Sequence, residues 1–205
     1  MVTCIHCLRT IQGPTAIPTV CTRCAAIHEQ LWVGVVGRGS RYLTTDVSLL
    51  RSKYPGLCPL YDEILGWKPT NPKGLAIVGD TGLGKTRVTW AMLRGLFDRG
   101  YKIYGISALM LADRIGKAFG NGDGLAFLDS VMDCEVLFID DLDKMVTTER
   151  VQAEVFGVFE RLTESQRIII TSNSSANSFR QKFSEGIRDA LARRIGEFCK
   201  PIQMN

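Results

Sequence analysis

The sequence predicts an α/β protein, a parallel sheet covered by helices on both faces, with a small cysteine-bearing module ahead of it. Three observations predict it. From Gly74 onward, short apolar runs alternate with stretches of helical periodicity, the pattern of strands joined by crossover helices. The stretch Gly79-Asp80-Thr81-Gly82-Leu83-Gly84-Lys85-Thr86 lies between one such run, Leu75-Ala76-Ile77-Val78, and a segment in which Met92, Leu93, Leu96 and Phe97 recur at helical spacing. Two Cys-x2-Cys pairs, Cys4/Cys7 and Cys21/Cys24, cluster at the N-terminus.

Composition sets the bounds. A chain of 205 residues, 45% hydrophobic and 22% charged, suits one globular domain plus a small module. No apolar run approaches the ~18 residues of a membrane span, and the first residues lack the basic start and apolar stretch of a signal peptide, so a cytoplasmic protein with no membrane partner is expected. Net charge is +4, and it is unevenly spread. Arg9, Arg23, Arg38, Arg41, Arg51 and Lys53 face only Glu29 and Asp46 in residues 1–57, whereas later charges balance. An N-terminal basic excess suits an anionic partner such as nucleic acid.

In chain order, residues 1–30 read as a zinc-binding module. Two Cys-x2-Cys knuckles with 13 residues between them can gather the thiolates of Cys4, Cys7, Cys21 and Cys24 into a tetrahedron, with His6 and His28 as alternative ligands. A segment this short buries little surface, so Zn2+ would supply much of its stability. Residues 31–57 read as a linker and basic segment. A possible helix over His28–Trp32 gives way to the glycine-rich Gly34-Val35-Val36-Gly37-Arg38-Gly39-Ser40, and Pro55-Gly56, Pro59 and Pro69–Pro72 punctuate the approach to the core. Residues 58–205 form the core. Its expected elements are strands at 75–78, 102–106, 135–141, 167–173 and 201–204, and helices after Thr86, at 108–119, 148–163 and 185–198, with a helical turn at 125–130. The isolated Cys58, Cys134 and Cys199 read as small buried hydrophobes.

Three strand ends carry the chemistry. Gly79–Thr86 fits G-x-x-x-x-G-K-[ST], in which glycines let backbone N–H groups turn toward phosphate at a helix N-terminus. Lys85 is then the residue for the β- and γ-phosphates, and the Thr86 hydroxyl a Mg2+ ligand. The run Val136-Leu137-Phe138-Ile139 ends in Asp140, which suits the same ion directly or through water, and Asp141, which suits orienting or deprotonating an attacking water. The run Ile168-Ile169-Ile170 ends in Thr171-Ser172-Asn173, where the Asn173 amide could contact the γ-phosphate or the water, with Thr171 and Ser172 as alternatives. Basic residues Arg188, Arg193 and Arg194 follow on a late helix, where a guanidinium could act in trans on a neighbouring subunit's phosphate.

In order and spacing, these motifs resemble AAA+ ATPases. The paired aspartates and Thr-Ser-Asn are most similar to the DnaC and DnaI type of helicase loader, with the related IstB transposition ATPases. The resemblance covers about residues 70–205. It implies a P-loop NTPase of RecA-like AAA+ fold, with Lys85 and Thr86 as Walker A, Asp140 and Asp141 as Walker B, Asn173 as sensor 1 and Arg194 as the arginine finger, Arg188 and Arg193 being rivals. It also implies self-association through ATP sites, and single-stranded DNA along the core near Arg114 and Lys117. Asp141 stands where most AAA+ proteins carry Glu, so slow hydrolysis is expected. The end at Asn205 predicts no C-terminal helical lid. A zinc-bearing N-terminal region on such a core resembles the DnaI arrangement, in which that region binds the helicase.

The expected function is therefore an ATP-dependent loader of a ring-shaped replicative DNA helicase, using ATP, Mg2+ and Zn2+. Two alternatives stand beside it: an IstB-like ATPase helper of a transposase with its zinc module on duplex DNA, and a nucleotide-gated adaptor that binds ATP without hydrolysing it. The stretch Trp67–Pro72 lies where an adenine could rest.

Overall fold

The computed structural model describes residues 2–3, 10–11, 22–37, 40–44, 46–145, 148–162, 166–173 and 183–205. They fall into two units, residues 1–43 and 44–205. In the first, β1 (Val2–Thr3) pairs antiparallel with β2 (Thr10–Ile11), and helix α1 spans Thr22–Val36. The glycine-rich start of the expected linker is thus the end of a helix: Gly34 lies inside α1. The helix stops at Gly37, whose φ of +94° accommodates the left-handed turn while its N–H donates to the Val33 carbonyl at 2.9 Å. Buried Trp32 extends this anchoring, its indole N–H donating to the Leu43 carbonyl at 3.1 Å.

The second unit is built on five parallel strands: β3 (Gly74–Gly79), β4 (Ile103–Ser107), β5 (Val136–Asp140), β6 (Arg167–Ser172) and β7 (Cys199–Met204), in the order β4-β5-β6-β3-β7. Their residues are near-continuously apolar because both faces are covered; Ile77, Val136, Phe138, Ile139 and Ile169 have no exposure. The final strand begins at Cys199, two residues earlier than the sequence suggests. Pro201 fits there because β7 is an edge strand, the place in a sheet that tolerates a residue without an N–H.

Helices α4 (Lys85–Phe97), α5 (Ala108–Gly120), α7 (Glu149–Glu160) and α8 (Glu185–Phe198) fall close to the expected segments. Ser107 caps α5 by accepting the Met110 N–H at 3.3 Å. The expected turn at 125–130 is a full helix, α6 (Gly124–Met132). Two further helices were not expected: α2 (Ser48–Lys53), inside the expected basic segment, and, after a short 3-10 turn at Pro55–Leu57, α3 (Cys58–Gly66), where prolines suggested only punctuation. Pro59 sits in the first turn of α3, where a missing N–H breaks no helical bond, so it starts the helix instead of preventing it. Core packing also explains Gly105: a Cβ there would lie 2.3 Å from the Trp90 ring, which packs edge-on against Phe138 with centroids 5.2 Å apart.

Candidate nucleotide site

All three predicted strand ends lie at the carboxyl edge of the sheet, on three neighbouring strands, β5, β6 and β3. This edge is where open α/β sheets bind ligands. The loop leaves β3 at Gly79, whose φ is +152° and whose absent Cβ would lie 1.8 Å from the Met204 carbonyl oxygen of β7. Gly82 and Gly84 also have positive φ, +92° and +86°. Gly84 then opens α4 with no side chain capping it. That leaves the first turn's N–H groups as the natural donors for an anion.

Helices α2 and α3 hold this loop from outside. The Tyr61 hydroxyl of α3 donates to the Leu83 carbonyl at 2.9 Å, and the Leu50 methyl groups of α2 fill the space over Gly84 that a Cβ would enter at 2.5 Å. Asp80 and Thr81 are exposed at the loop's tip.

Lys85 is 4% exposed, and its ammonium donates to the carbonyls of Gly79 and Asp80 and to Oδ1 of Asn173, each at 2.8 Å. Burial pushes its pKa down, opposed by Asp141, Asp143, Asp140 and Asp80. The Asn173 amide nitrogen donates in turn to Oδ1 of Asp141 at 3.1 Å. One side chain therefore bridges the loop lysine and the second aspartate. Asp141 is held further by Lys144, 2.5 Å from its other oxygen, and adopts φ +54° and ψ +50°, a left-handed conformation uncommon for a residue with a Cβ.

Asp140 Oδ1 accepts from the Thr86 hydroxyl at 2.8 Å and from the Thr171 hydroxyl at 2.5 Å. Burial raises its pKa, while the hydrogen bonds from Thr171 and Thr86 lower it. A half-buried carboxylate beside a hydroxyl is a donor set suited to Mg2+, whose charge would hold the carboxylate ionised.

The structure brings Gly79–Thr86, Asp140, Asp141 and Asn173 into one site, but Arg194 is engaged elsewhere. Its guanidinium grips Glu160 of α7 at 2.5 and 3.0 Å and Glu197 at 2.8 Å. These hydrogen bonds raise its pKa, Glu160 foremost. Arg193 is more exposed and lies 3.9 Å from Glu197; Arg188 is 3.5 Å from Asp189. Arg114 reaches the Tyr104 hydroxyl at 3.4 Å and Lys117 pairs with Asp113 at 2.8 Å, both at the surface. Trp67 is buried, its indole donating to the Lys73 carbonyl at 3.0 Å.

Of the expected zinc ligands, Cys4, Cys7 and Cys21 lie outside the described residues, as does His6; Cys24 is on α1. Among the described residues no three His, Cys, Asp or Glu side chains are grouped to hold a metal ion. No described helix is long and apolar enough to cross a membrane.

The sequence reading missed Asp143, Lys144, Tyr61 and Leu50. Asp143 is 5% exposed and accepts the Asn173 backbone N–H at 2.8 Å, fastening the β5 exit to the β6 exit. Its signal was present as a third acid just beyond the strand; Tyr61 and Leu50 had none.

A parallel sheet in this order, with the phosphate loop, the acid pair and a polar asparagine on neighbouring strand ends, defines a nucleotide-binding protein of the AAA+ class. More narrowly, the chain belongs to the IstB-like ATP binding protein family, whose model matches residues 67–205. Over 130 residues it is 29% identical to the chromosomal replication initiator protein DnaA of Campylobacter jejuni strain 81116, a match covering 63% of this chain and 29% of that protein. The same protein of Gluconobacter oxydans is 30% identical over 133 residues, covering 63% and 27%. The chain thus spans less than a third of the curated relatives it matches. Among solved structures, AMPPCP-bound DnaA from Aquifex aeolicus superposes with a TM-score of 0.61 at 23% identity, over 72% of this chain and 45% of that one. The DnaC helicase loader gives 0.61 at 21% identity over 75% and 90%, and DnaI 0.59 at 20% over 82% and 92%. At these identities the likeness is one of fold.

Proposed function

We propose that this protein is an ATP-hydrolysing switch that loads a ring-shaped replicative helicase onto single-stranded DNA. The observation that carries the reading is the bridge Lys85–Asn173–Asp141, because it ties the phosphate-binding lysine to the residue suited to activating water. A triphosphate that engages Lys85 must loosen its bond to Asn173, and Asn173 in turn holds Asp141. Nucleotide state would thereby reach the strand ends and the helices that follow them.

In this reading Gly79–Thr86 cradle the triphosphate, Thr86 and Asp140 hold the metal, and Asp141 and Asn173 position the water. Bound Mg2+ supplies neutralisation of charge developing on the phosphates. Arg194 of a neighbouring copy completes the site, which requires it to leave Glu160 and Glu197; Arg193 is the rival already at the surface. Residues 1–30 form the zinc module through Cys4, Cys7, Cys21 and Cys24 and contact the helicase, residues 31–57 connect, and residues 58–205 are the ATPase core. Support comes from the fold shared with the DnaC helicase loader over most of that protein's length.

Two specific observations favour the alternatives. The IstB-like family match favours a transposase helper acting on duplex DNA. The engagement of both Asp141 oxygens, by Asn173 and Lys144, favours an adaptor that does not turn ATP over. One experiment separates the three: incubation with a replicative helicase and ATP, on single-stranded and on duplex DNA. Helicase complexes and faster turnover on single strands support loading. ATP-dependent assembly on duplex without helicase binding supports the transposase helper, and binding without turnover on either DNA supports the adaptor.

A further inference from the structure

We propose that Thr171 is a positioning residue for the divalent cation: its one hydroxyl sets the Asp140 carboxylate and the Asp141 backbone together, and so governs how tightly the site holds Mg2+. The proposal rests on the reading of Thr86 and Asp140 as the magnesium ligands, and it assigns Thr171 an action through the acids, not on phosphate.

Thr171 is the penultimate residue of β6 and has no exposure. Its Oγ1 accepts the Asp141 N–H at 2.8 Å and donates its proton to Asp140 Oδ1 at 2.5 Å. The donor and acceptor capacities of a hydroxyl allow both bonds at once. The first bond steadies Asp141, the only non-glycine with positive φ among the described residues. The second fixes the orientation of a carboxylate whose same oxygen also meets the Thr86 hydroxyl. The two hydroxyls that meet on Asp140 thus come from different elements, Thr86 from α4 and Thr171 from β6. A residue that merely filled the strand would need only shape, and valine has the same shape as threonine. What valine lacks is the hydroxyl, and its absence would leave the part-buried Asp141 N–H without this acceptor and the Asp140 Oδ1 with the Thr86 hydroxyl alone.

The test compares wild type, T171V and T171S in Mg2+ titrations of ATP binding, read with a fluorescent ATP analogue, alongside binding in EDTA. T171V is expected to need about tenfold more Mg2+ for half-saturation, the scale of one hydrogen bond to a charged group. Its metal-free ATP affinity should stay within about twofold of wild type, since the phosphate loop is untouched, and T171S should restore the Mg2+ requirement. T171C, close in shape and a poorer donor, gives an intermediate shift and carries the test should valine prevent folding. A T171V titration superimposing on wild type overturns the proposal. So does an equal loss of metal-free and metal-dependent binding, which marks general damage to the fold. Wild-type binding indifferent to Mg2+ removes the magnesium site itself, a failure visible in the unmutated protein and so distinguishable from the other two.

Discussion

At the scale of single residues, the site divides tasks among groups whose surroundings are already set. Lys85 has three partners and little exposure, so its ammonium is oriented before nucleotide arrives. Lys85→Ala should abolish ATP binding in equilibrium titration while leaving far-UV circular dichroism unchanged. Asp141→Ala should spare binding and lower turnover about 10²- to 10⁴-fold, the range of a lost general base. Lys144, largely exposed, competes for the Asp141 carboxylate; Lys144→Met should raise basal ATP turnover several-fold in a coupled phosphate-release assay. Burial pushes the thiols of Cys134 and Cys199 up to about 12. The charged form is the one disfavoured, so at pH 8 only about one such thiol in ten thousand is thiolate. Both should resist iodoacetamide at pH 8 in the native protein and react once it is unfolded, where burial no longer disfavours the thiolate. Lys85, Thr86 and Asp140 were legible in the sequence because each is placed by local motif and strand end. The roles of the Thr171 hydroxyl, expected only as an alternative phosphate contact, and of the Asp143 carboxylate were not, because their partners are 30 residues away in the chain and only strand pairing brings them together.

At the scale of elements, the strands were legible because burial on both faces imposes continuous apolar runs, and the core helices because their apolar positions recur. Helix α2 escaped because its six residues were read as part of a basic linker, and α3 because prolines were read as breaks, whereas Pro59 occupies the one helical turn that tolerates it. Those helices matter to the site, since they bear on the loop at Leu83 and Gly84. Two of the three loop glycines should respond differently. Gly79→Ala drives a Cβ into the backbone of β7 and should destabilise the fold by at least ~2 kcal/mol in urea titration, since only a shift of the strand relieves it. Gly84→Ala meets the movable Leu50 side chain, and its cost is the positive φ of 86°, about 1–2 kcal/mol. Its ATP affinity should fall more sharply than its stability.

At the scale of the whole molecule, the strand order and the grouping of motifs on neighbouring strands make a nucleotide-binding core, and the match to an ATP-binding family agrees with that. The fold class and the five-stranded core were legible because strand and helix alternation reads out in local periodicity. The extent of α1 was less so, since glycines that suggest a linker are here carried within or just past a helix. ATP with Mg2+ at a hundred times its Kd should stabilise the core by about 2.7 kcal/mol, a rise of about 5–10 °C in Tm by differential scanning fluorimetry. EDTA should remove most of that rise. The central claim is that nucleotide state, relayed from Lys85 through Asn173 to Asp141, controls the delivery of a helicase to DNA. The most direct test is helicase loading on closed circular single-stranded DNA, measured with wild type and with Asn173→Ala. Wild type should load helicase in an ATP-dependent manner, and Asn173→Ala should bind ATP yet load at least tenfold less. Equal loading by the two proteins, or wild-type loading that is indifferent to ATP, would contradict the claim.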